Sequence, residues 1–372
     1  MLKPKRLLLL THSLGNGGSE RVTVNIANHA KRRGWDVGVI PLVLSEQDYP
    51  LDENVLVDRR VPQGGIRLIR GLRKARHVVA AVHQFKPDVV LSLDAGYGYL
   101  ALAKVRSRFG LVTSPRWDPE GMLRGRPARR ALYDLTFALS SRVVFQTRGA
   151  AAYFGERLRA KAAIIGNPLR DGLVHNDTPF NLRDKEIVAF GRFAPEKRFD
   201  VLIKAFAIFR KKFPEYTLSV FGRGSERERI QDLVRELQLS EIVSIEDFRA
   251  DIHERIHNAS MYVLSSDREG VSNSMLEAMA IGLPSACTDC PPGGARETIE
   301  RYRTGELGEV GDPGSLAAAM CKIAESPERA DTMIVNGRKL LEEMSGDVVC
   351  ERWLQLLTDV AEGRKTRFGS NA

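Results

Sequence analysis

The chain alternates short apolar runs with longer amphipathic stretches, and it does so twice. Leu7 to Leu10 is an unbroken apolar run of strand length, as expected for a strand covered on both faces. A glycine-rich loop follows, and Glu20 to Arg33 carries Val22, Val24, Ile26 and Ala27 as a helix that Gly34 ends. Val37 to Leu44 reads as the next strand, Arg67 to Phe85 as a helix and Val89 to Leu93 as a strand. Leu111 to Thr113, Arg142 to Gln146 and Ala162 to Ile165 complete a first set of strands. Asp177 to Asp184 is polar and contains Pro179, as a linker would. The pattern then restarts with strand Glu186 to Phe190, helix Phe199 to Phe213, strand Thr217 to Phe221 and helix Glu226 to Leu237. Strands Val243 to Ile245 and Met261 to Leu264, helix Ser274 to Ile281 and strand Ser285 to Cys287 follow.

Strands alternating with helices imply a parallel sheet covered on both faces. Two such α/β units in tandem leave a cleft, with ligands expected at the carboxyl ends of the strands. The expected domains are residues 1–177 and 178–346. Residues 347–372 form a last helix, Val348 to Val360, with its tail, expected to pack back on the first domain.

A length of 372 residues suits two domains, and 43% apolar with 28% charged residues suits a folded chain. No stretch reaches the roughly 18 uncharged apolar residues of a membrane span. The basic start, Met1 to Arg6 before the leucines, resembles a signal peptide only superficially. The apolar run is too short, and Thr11-His12-Ser13 offers no small-residue cleavage site. Four cysteines, Cys287, Cys290, Cys321 and Cys350, do not make a disulfide framework in a chain this long. The C-x-x-C of Cys287 and Cys290 has no second pair to complete a zinc site, so free thiols and a cytoplasmic location are expected. Charge changes the picture more. Residues 1–180 hold 29 Lys and Arg against 15 Asp and Glu, and residues 181–372 hold 27 against 32. An anionic partner for the first half is expected, nucleic acid or an anionic membrane surface.

Three loops carry candidate chemistry. The first to stand out is Gly191 to Asp200, between a buried strand and a helix. Arg192 offers a planar fork and Lys197 a point charge to phosphate, and Gly191 lets the backbone come close. The second is Asp267 to Met279. Glu269 lies in a loop, Glu277 lies eight residues on in the helix, and Gly270, Val271, Ser272 and Asn273 span the helix start, where a diphosphate can lie. Two spaced carboxylates suit the hydroxyls of a nucleotide sugar. The bland alternatives are solvated cations and a glutamate that complements the helix dipole, though the latter explains Glu277 less well among Leu276, Ala278 and Met279. The third loop, Leu14 to Arg21, puts Gly17 and Gly18 at a helix start. Counted from Gly15, a dinucleotide fingerprint would want glycine where Glu20 stands, which counts against NAD.

Gly17-Gly18-Ser19-Glu20-Arg21, Gly191-Arg192 with Lys197, and Glu269 to Glu277 together resemble the retaining GT-B glycosyltransferases, whose second domain bears an E-x(7)-E signature. Phe145-Gln146-Thr147 and Gly166-Asn167-Pro168 look like that group's last N-terminal strands. Cys290 to Glu297 is similar to a segment of its members that build bacterial surface polysaccharides and lipid-linked oligosaccharides. The resemblance implies two Rossmann-like domains whose parallel sheets face across a cleft. It implies a metal-independent hexosyltransferase without a cofactor, using a UDP-sugar as donor and a saccharide acceptor, lipid-linked in the closest members. By it, Arg192 and Lys197 hold the donor diphosphate, Glu277 the ribose and Glu269 the sugar hydroxyls, while Gly17 and Gly18 close over the phosphates. The mechanism proposed for the group passes the acceptor's proton to a donor phosphate oxygen, so neither glutamate is read as a nucleophile.

Many relatives carry a histidine in the loop that here reads Thr113 to Pro119, which has none. Arg116 and Asp118 are therefore candidates for the sugar or acceptor, or merely shape the loop. The basic half gains a use. Arg67, Arg70, Arg73, Lys74 and Arg76 are interleaved with Ile66, Leu68, Ile69 and Leu72, and Arg124, Arg126, Arg129 and Arg130 form a second cluster. Such a segment can lie on the inner face of the cytoplasmic membrane, or be a solvated helix face. Nucleic acid is not expected, because no recognition module accompanies the charge. A nucleotide-sugar epimerase or hydrolase of the same fold, a non-catalytic basic scaffold and an NAD-dependent oxidoreductase remain alternatives.

Overall fold

A computed structural model describes residues 4–15 and 17–364. Met1 to Lys3, Asn16 in the glycine-rich loop and the tail beyond 364 lie outside the described residues. The chain divides into two compact units, residues 1–168 with 346–372, and residues 169–345.

In the first unit the strands are β1 (Arg6–Thr11), β2 (Asp36–Pro41), β3 (Leu56–Val57), β4 (Val89–Leu93), β5 (Gly110–Ser114), β6 (Arg142–Phe145) and β7 (Ala162–Ile164). They form one parallel sheet in the order β3-β2-β1-β4-β5-β6-β7. Register puts Leu8 beside Val90, and Val90 beside Leu111. These residues meet Val78, Val82, Leu100 and Ala103 of the helices Arg67–Phe85 and Tyr97–Arg106. Leu7, Leu9 and Leu91, pointing the other way, are equally buried. Coverage on both faces is why β1 reads as a plain run of leucines rather than as an alternation.

The helix Gly346–Ala361 belongs to this unit and lies against the helix Gly18–Arg32. It buries Val349, Trp353, Leu356 and Leu357 completely. A Cβ on Gly110 would overlap Val360, so β5 starts with the one residue that lets this helix close in.

The second unit repeats the plan with β8 (Asp184–Arg192), β9 (Thr217–Arg223), β10 (Val243–Glu246), β11 (Ala259–Leu264), β12 (Ser285–Thr288) and β13 (Gly305–Gly308). Its parallel order is β10-β9-β8-β11-β12-β13. In both sheets the chain winds outward from the first strand and then jumps back to its other side. The reversal falls between β1 and β4, and between β8 and β11. Loops diverge there, and a crevice opens at the carboxyl ends of the two strands.

Two readings change. Asp177 to Asp184 is no free linker. Phe180 enters the second unit's core and its N–H donates to Asp331 Oδ1 at 2.7 Å, while Arg183 is buried and donates to the carbonyls of Thr178 and Asn176. Arg183 is spent on backbone partners and Asp177 pairs with Arg338, which periodicity does not reveal. The helix from Phe199 ends at Phe209, and Phe213 turns back to stack on Phe209. Strand β13, Gly-Glu-Leu-Gly, has no apolar run to announce it. It is lined with glycine because a Cβ on Gly305 would overlap the Ser285 carbonyl. Among the described residues no helix is long and apolar enough to cross a membrane.

Candidate functional site

The reversal point of the second sheet gathers both of its sequence motifs. Gly191 and Arg192 end β8, and the loop runs through Lys197 to the helix Phe199–Phe209. Glu269 follows β11, and the helix Asn273–Ala280 begins four residues on. The loops are laced together. Ser265 Oγ donates to the Lys197 carbonyl at 2.8 Å, and the Asp267 N–H donates to the Glu196 carbonyl at 2.9 Å. Arg198, in a left-handed conformation (φ 48°), grips both Asp267 oxygens at 3.0 Å and Asp200 at 2.9 Å. These carboxylates hold its guanidinium well above its ordinary value. Sequence reading passed over Arg198; its φ and its partners are visible only in the fold.

This lacing brings the Lys197 ammonium against the Glu269 carboxylate, both largely shielded from solvent. Arg192 is by contrast exposed and pairs with Glu196, four residues on, at 2.9 Å. A Cβ on Gly191 would meet no atom within 4 Å, so this backbone faces open space. A Cβ on Gly222, its neighbour on β9, would overlap the Gly191 carbonyl.

The helix start is equally built. Ser272 caps it, the Ser272 and Ser274 hydroxyls lie 2.9 Å apart, and buried Tyr262 of β11 reaches Ser274 at 2.8 Å. The Glu269 N–H donates to the Pro291 carbonyl at 3.1 Å. Behind Gly270 stands Gly294, where a Cβ would overlap the Gly270 carbonyl. The Cys290 to Glu297 segment therefore backs the Glu269 loop and fixes its height. Burial pushes the Cys290 thiol up to about 12, Glu269 adding to the effect, and Cys287 is pushed up further. Both sulfurs are protonated packing atoms rather than thiolates.

Glu277 is buried, and His253 Nε2 lies 3.0 Å from its Oε2. Arg170 Nη1 lies 3.4 Å from His253 Nδ1. An arginine can only donate, so Nδ1 accepts and Nε2 carries the proton offered to Glu277. His253 lies on the short helix Ile252–Arg255, with no motif around it.

The first sheet's reversal point holds Gly17, Gly18 and a residue that sequence reading missed. Gly17 caps the helix Gly18–Arg32, and a Cβ there would overlap the Glu20 carboxylate folded back over it. That carboxylate meets the helix dipole itself. Asp94, past the end of β4, has φ 56° and accepts from the Arg116 N–H at 2.7 Å. Burial raises its carboxyl to about 7, with Glu20 adding and Arg116 opposing. Arg116 donates to Ser114 Oγ and to the Ile165 carbonyl, both at 3.3 Å, and to Asn167, and it lies over the Trp353 ring. Burial brings its guanidinium down to about 10. Asp118 caps the helix Pro119–Leu123, accepting from the N–H groups of Glu120 and Gly121. Both residues are thus bound into the unit's own structure. Among the described residues no three His, Cys, Asp or Glu side chains gather as a metal site.

Both units resemble known proteins. Residues 16–170 match the Glycosyltransferase Family 4 model, and residues 173–340 match Glycosyl transferases group 1. An uncharacterized glycosyltransferase of Haemophilus influenzae is 24% identical over 92% of this chain and 96% of its own. The lipopolysaccharide 1,6-galactosyltransferase of Salmonella typhimurium is 25% identical over 81% and 84%. HepE of Anabaena, solved in complex with UDP, superposes with a TM-score of 0.78 at 19% identity, over 95% of this chain and all of that one.

Proposed function

Since the chain is a glycosyltransferase of the GT-B fold, we propose that it moves a hexose or N-acetylhexosamine from a UDP-sugar to a saccharide acceptor carried on lipid, in surface polysaccharide assembly. We further propose that the transfer retains the anomeric configuration and needs no metal ion. The observation that carries this reading is the contact of Lys197 with Glu269 beside the Asn273–Ala280 helix start. It joins a phosphate-binding cation to a hydroxyl-binding carboxylate at a crevice where a helix dipole already favours an anion.

In this reading the donor diphosphate lies across Lys197, Arg192, Gly191 and the backbone of Gly270, Val271, Ser272 and Asn273. Glu277, oriented by His253, takes the ribose hydroxyls, and Glu269 takes hydroxyls of the sugar. The bond from the anomeric carbon to the diphosphate oxygen breaks as the acceptor oxygen bonds on the same face. The acceptor's proton passes to a donor phosphate oxygen, so no protein nucleophile is used. Arg192 and Lys197 offset the charge of the leaving UDP, which a metal ion would otherwise do. Gly17 and Gly18 are proposed as backbone contacts to phosphate, which requires the Glu20 carboxylate to swing off Gly17. Arg116 and Asp118 are proposed to act on the acceptor by shaping the loop that follows β5. The UDP complex of HepE and the galactosyltransferase name of the Salmonella relative support the choice of nucleotide and sugar.

A thermal-shift series with UDP, GDP, ADP and NAD tests the reading, with Lys197→Ala in parallel. UDP at about 100 times its dissociation constant should add roughly 2.7 kcal/mol to the parent and almost nothing to the variant. Donor turnover should persist in EDTA. Stabilisation by GDP or ADP alone would change the donor; a response of Lys197→Ala equal to the parent's would remove Lys197 from the site.

A further inference from the structure

The first unit's two helical layers differ in charge and in what they expose. The helices Gly18–Arg32 and Gly346–Ala361, which lie against each other, hold four basic and four acidic residues between them. The helices Arg67–Phe85, Tyr97–Arg106 and Pro127–Leu139 pack side by side in the other layer. Together they hold nine Lys and Arg and a single acid, Asp134, which is paired with Arg130. The basic character of this unit is therefore concentrated on one layer.

That layer also exposes aliphatic side chains. Leu68 is 73% exposed, Leu72 58%, Val105 76% and Leu135 55%. Helix Pro127–Leu139 is apolar on two sides. Tyr133, Thr136 and Phe137 turn inward, while Ala128, Ala131, Leu132, Leu135 and Ala138 form an exposed stripe at helical spacing. Arg67, Arg73, Arg106 and Arg129 stand exposed among these residues.

We infer that the outer face of these three helices is a docking surface for an anionic lipid bilayer, the aliphatic side chains entering the headgroup boundary and the arginines meeting lipid phosphates. Charge complementarity selects the occupant: Lys74 and Lys104 turn to the carbonyls of Leu42 and Phe109, and the seven remaining arginines against one acid want a dense negative surface, while interleaved leucines and valines want hydrocarbon. A nucleic-acid backbone would satisfy the arginines but offers nothing to Leu68, Val105 and Leu135. The inference adds the Tyr97–Arg106 helix, which no charge cluster in the sequence marks, and it stands whether or not the donor assignment holds.

Sedimentation of the full chain with vesicles tests it. The parent should bind phosphatidylcholine–phosphatidylglycerol vesicles, release as salt rises, and ignore pure phosphatidylcholine. The variant Arg67→Glu with Arg73→Glu, Arg106→Glu and Arg129→Glu should lose at least about 100-fold in partitioning, at about five-fold per cation. Leu68→Ser with Leu72→Ser and Leu135→Ser should weaken binding about ten-fold or more while leaving its salt slope unchanged. Arg32→Glu with Arg352→Glu, on the other layer, should bind like the parent. The UDP thermal shift should be the same in all four proteins, which separates failure of docking from failure of the donor site. No binding of the parent to anionic vesicles, equal losses from both layers, or full displacement of vesicles by RNA would each overturn the inference.

Discussion

Asp94 shows how far a fold can move one side chain. In the unfolded chain its carboxyl titrates at about 3.9, whereas burial lifts it to about 7 in the structure. Between those values the folded protein keeps a proton that the unfolded chain releases. Its contribution to stability is complete below about pH 4 and lost as pH rises through about 7. Asp94→Asn, which also suits the left-handed backbone, should flatten that slope. Relative to the parent it should gain up to a few kcal/mol between about pH 4 and 8 in urea unfolding; parallel pH curves would show that the carboxylate is charged throughout. His253 is the second residue-scale case. Leucine there would leave the buried Glu277 carboxylate without this donor, so the KM for donor should rise about ten-fold with kcat little changed. His253→Gln, which can still donate, should recover part of the loss. An unchanged KM in the leucine variant would reduce His253 to packing. Neither residue was legible in the sequence, because a lone Asp after a strand and a lone His on a short helix carry no pattern. Glu269, Glu277, Arg192 and Lys197 were legible because their spacing matches a motif, yet their pairing was not. Lys197 faces Glu269, and Arg192, though beside it in sequence, faces solvent and Glu196.

Among the elements, legibility followed burial. Strands covered on both faces announce themselves as apolar runs, and β1, β4 and β11 were all read directly. Elements that close on glycine were not. β13 lies on the edge of its sheet, and Gly96, left-handed, precedes the helix Tyr97–Arg106 without a Ser, Thr or Asp cap. The close packing of the Cys290 to Glu297 segment behind the Glu269 loop makes one glycine decisive. Gly294→Ala must push the Gly270 carbonyl away. It should cost a few kcal/mol in stability and raise the donor KM, because Glu269 and the helix start move together. Normal donor kinetics with a lowered Tm would mean that the loop relaxes without carrying the site.

For the whole molecule, the C-terminal helix decides whether the first unit is complete. Ending the chain at Ser345 would remove Trp353, Leu356 and Leu357 from its core and uncover part of β4 and β5. Thermal unfolding should then lose the cooperative transition of the first unit while that of residues 169–345 persists; two intact transitions would show the helix to be dispensable. The sequence by itself determined the repeated alternation of strand and helix, the GT-B resemblance and which residues are proposed for phosphate and hydroxyls. These properties are local, carried by periodicities of two and 3.6 residues and by motif spacing. Only the tertiary structure decided that both sheets reverse their strand order at the motif-bearing loops, that Lys197 meets Glu269 and His253 meets Glu277, and that the helices Tyr97–Arg106 and Pro127–Leu139 join Arg67–Phe85 in one layer. Strand order and helix placement arise from pairings between segments far apart in the chain, and no local pattern specifies which strand lies beside which.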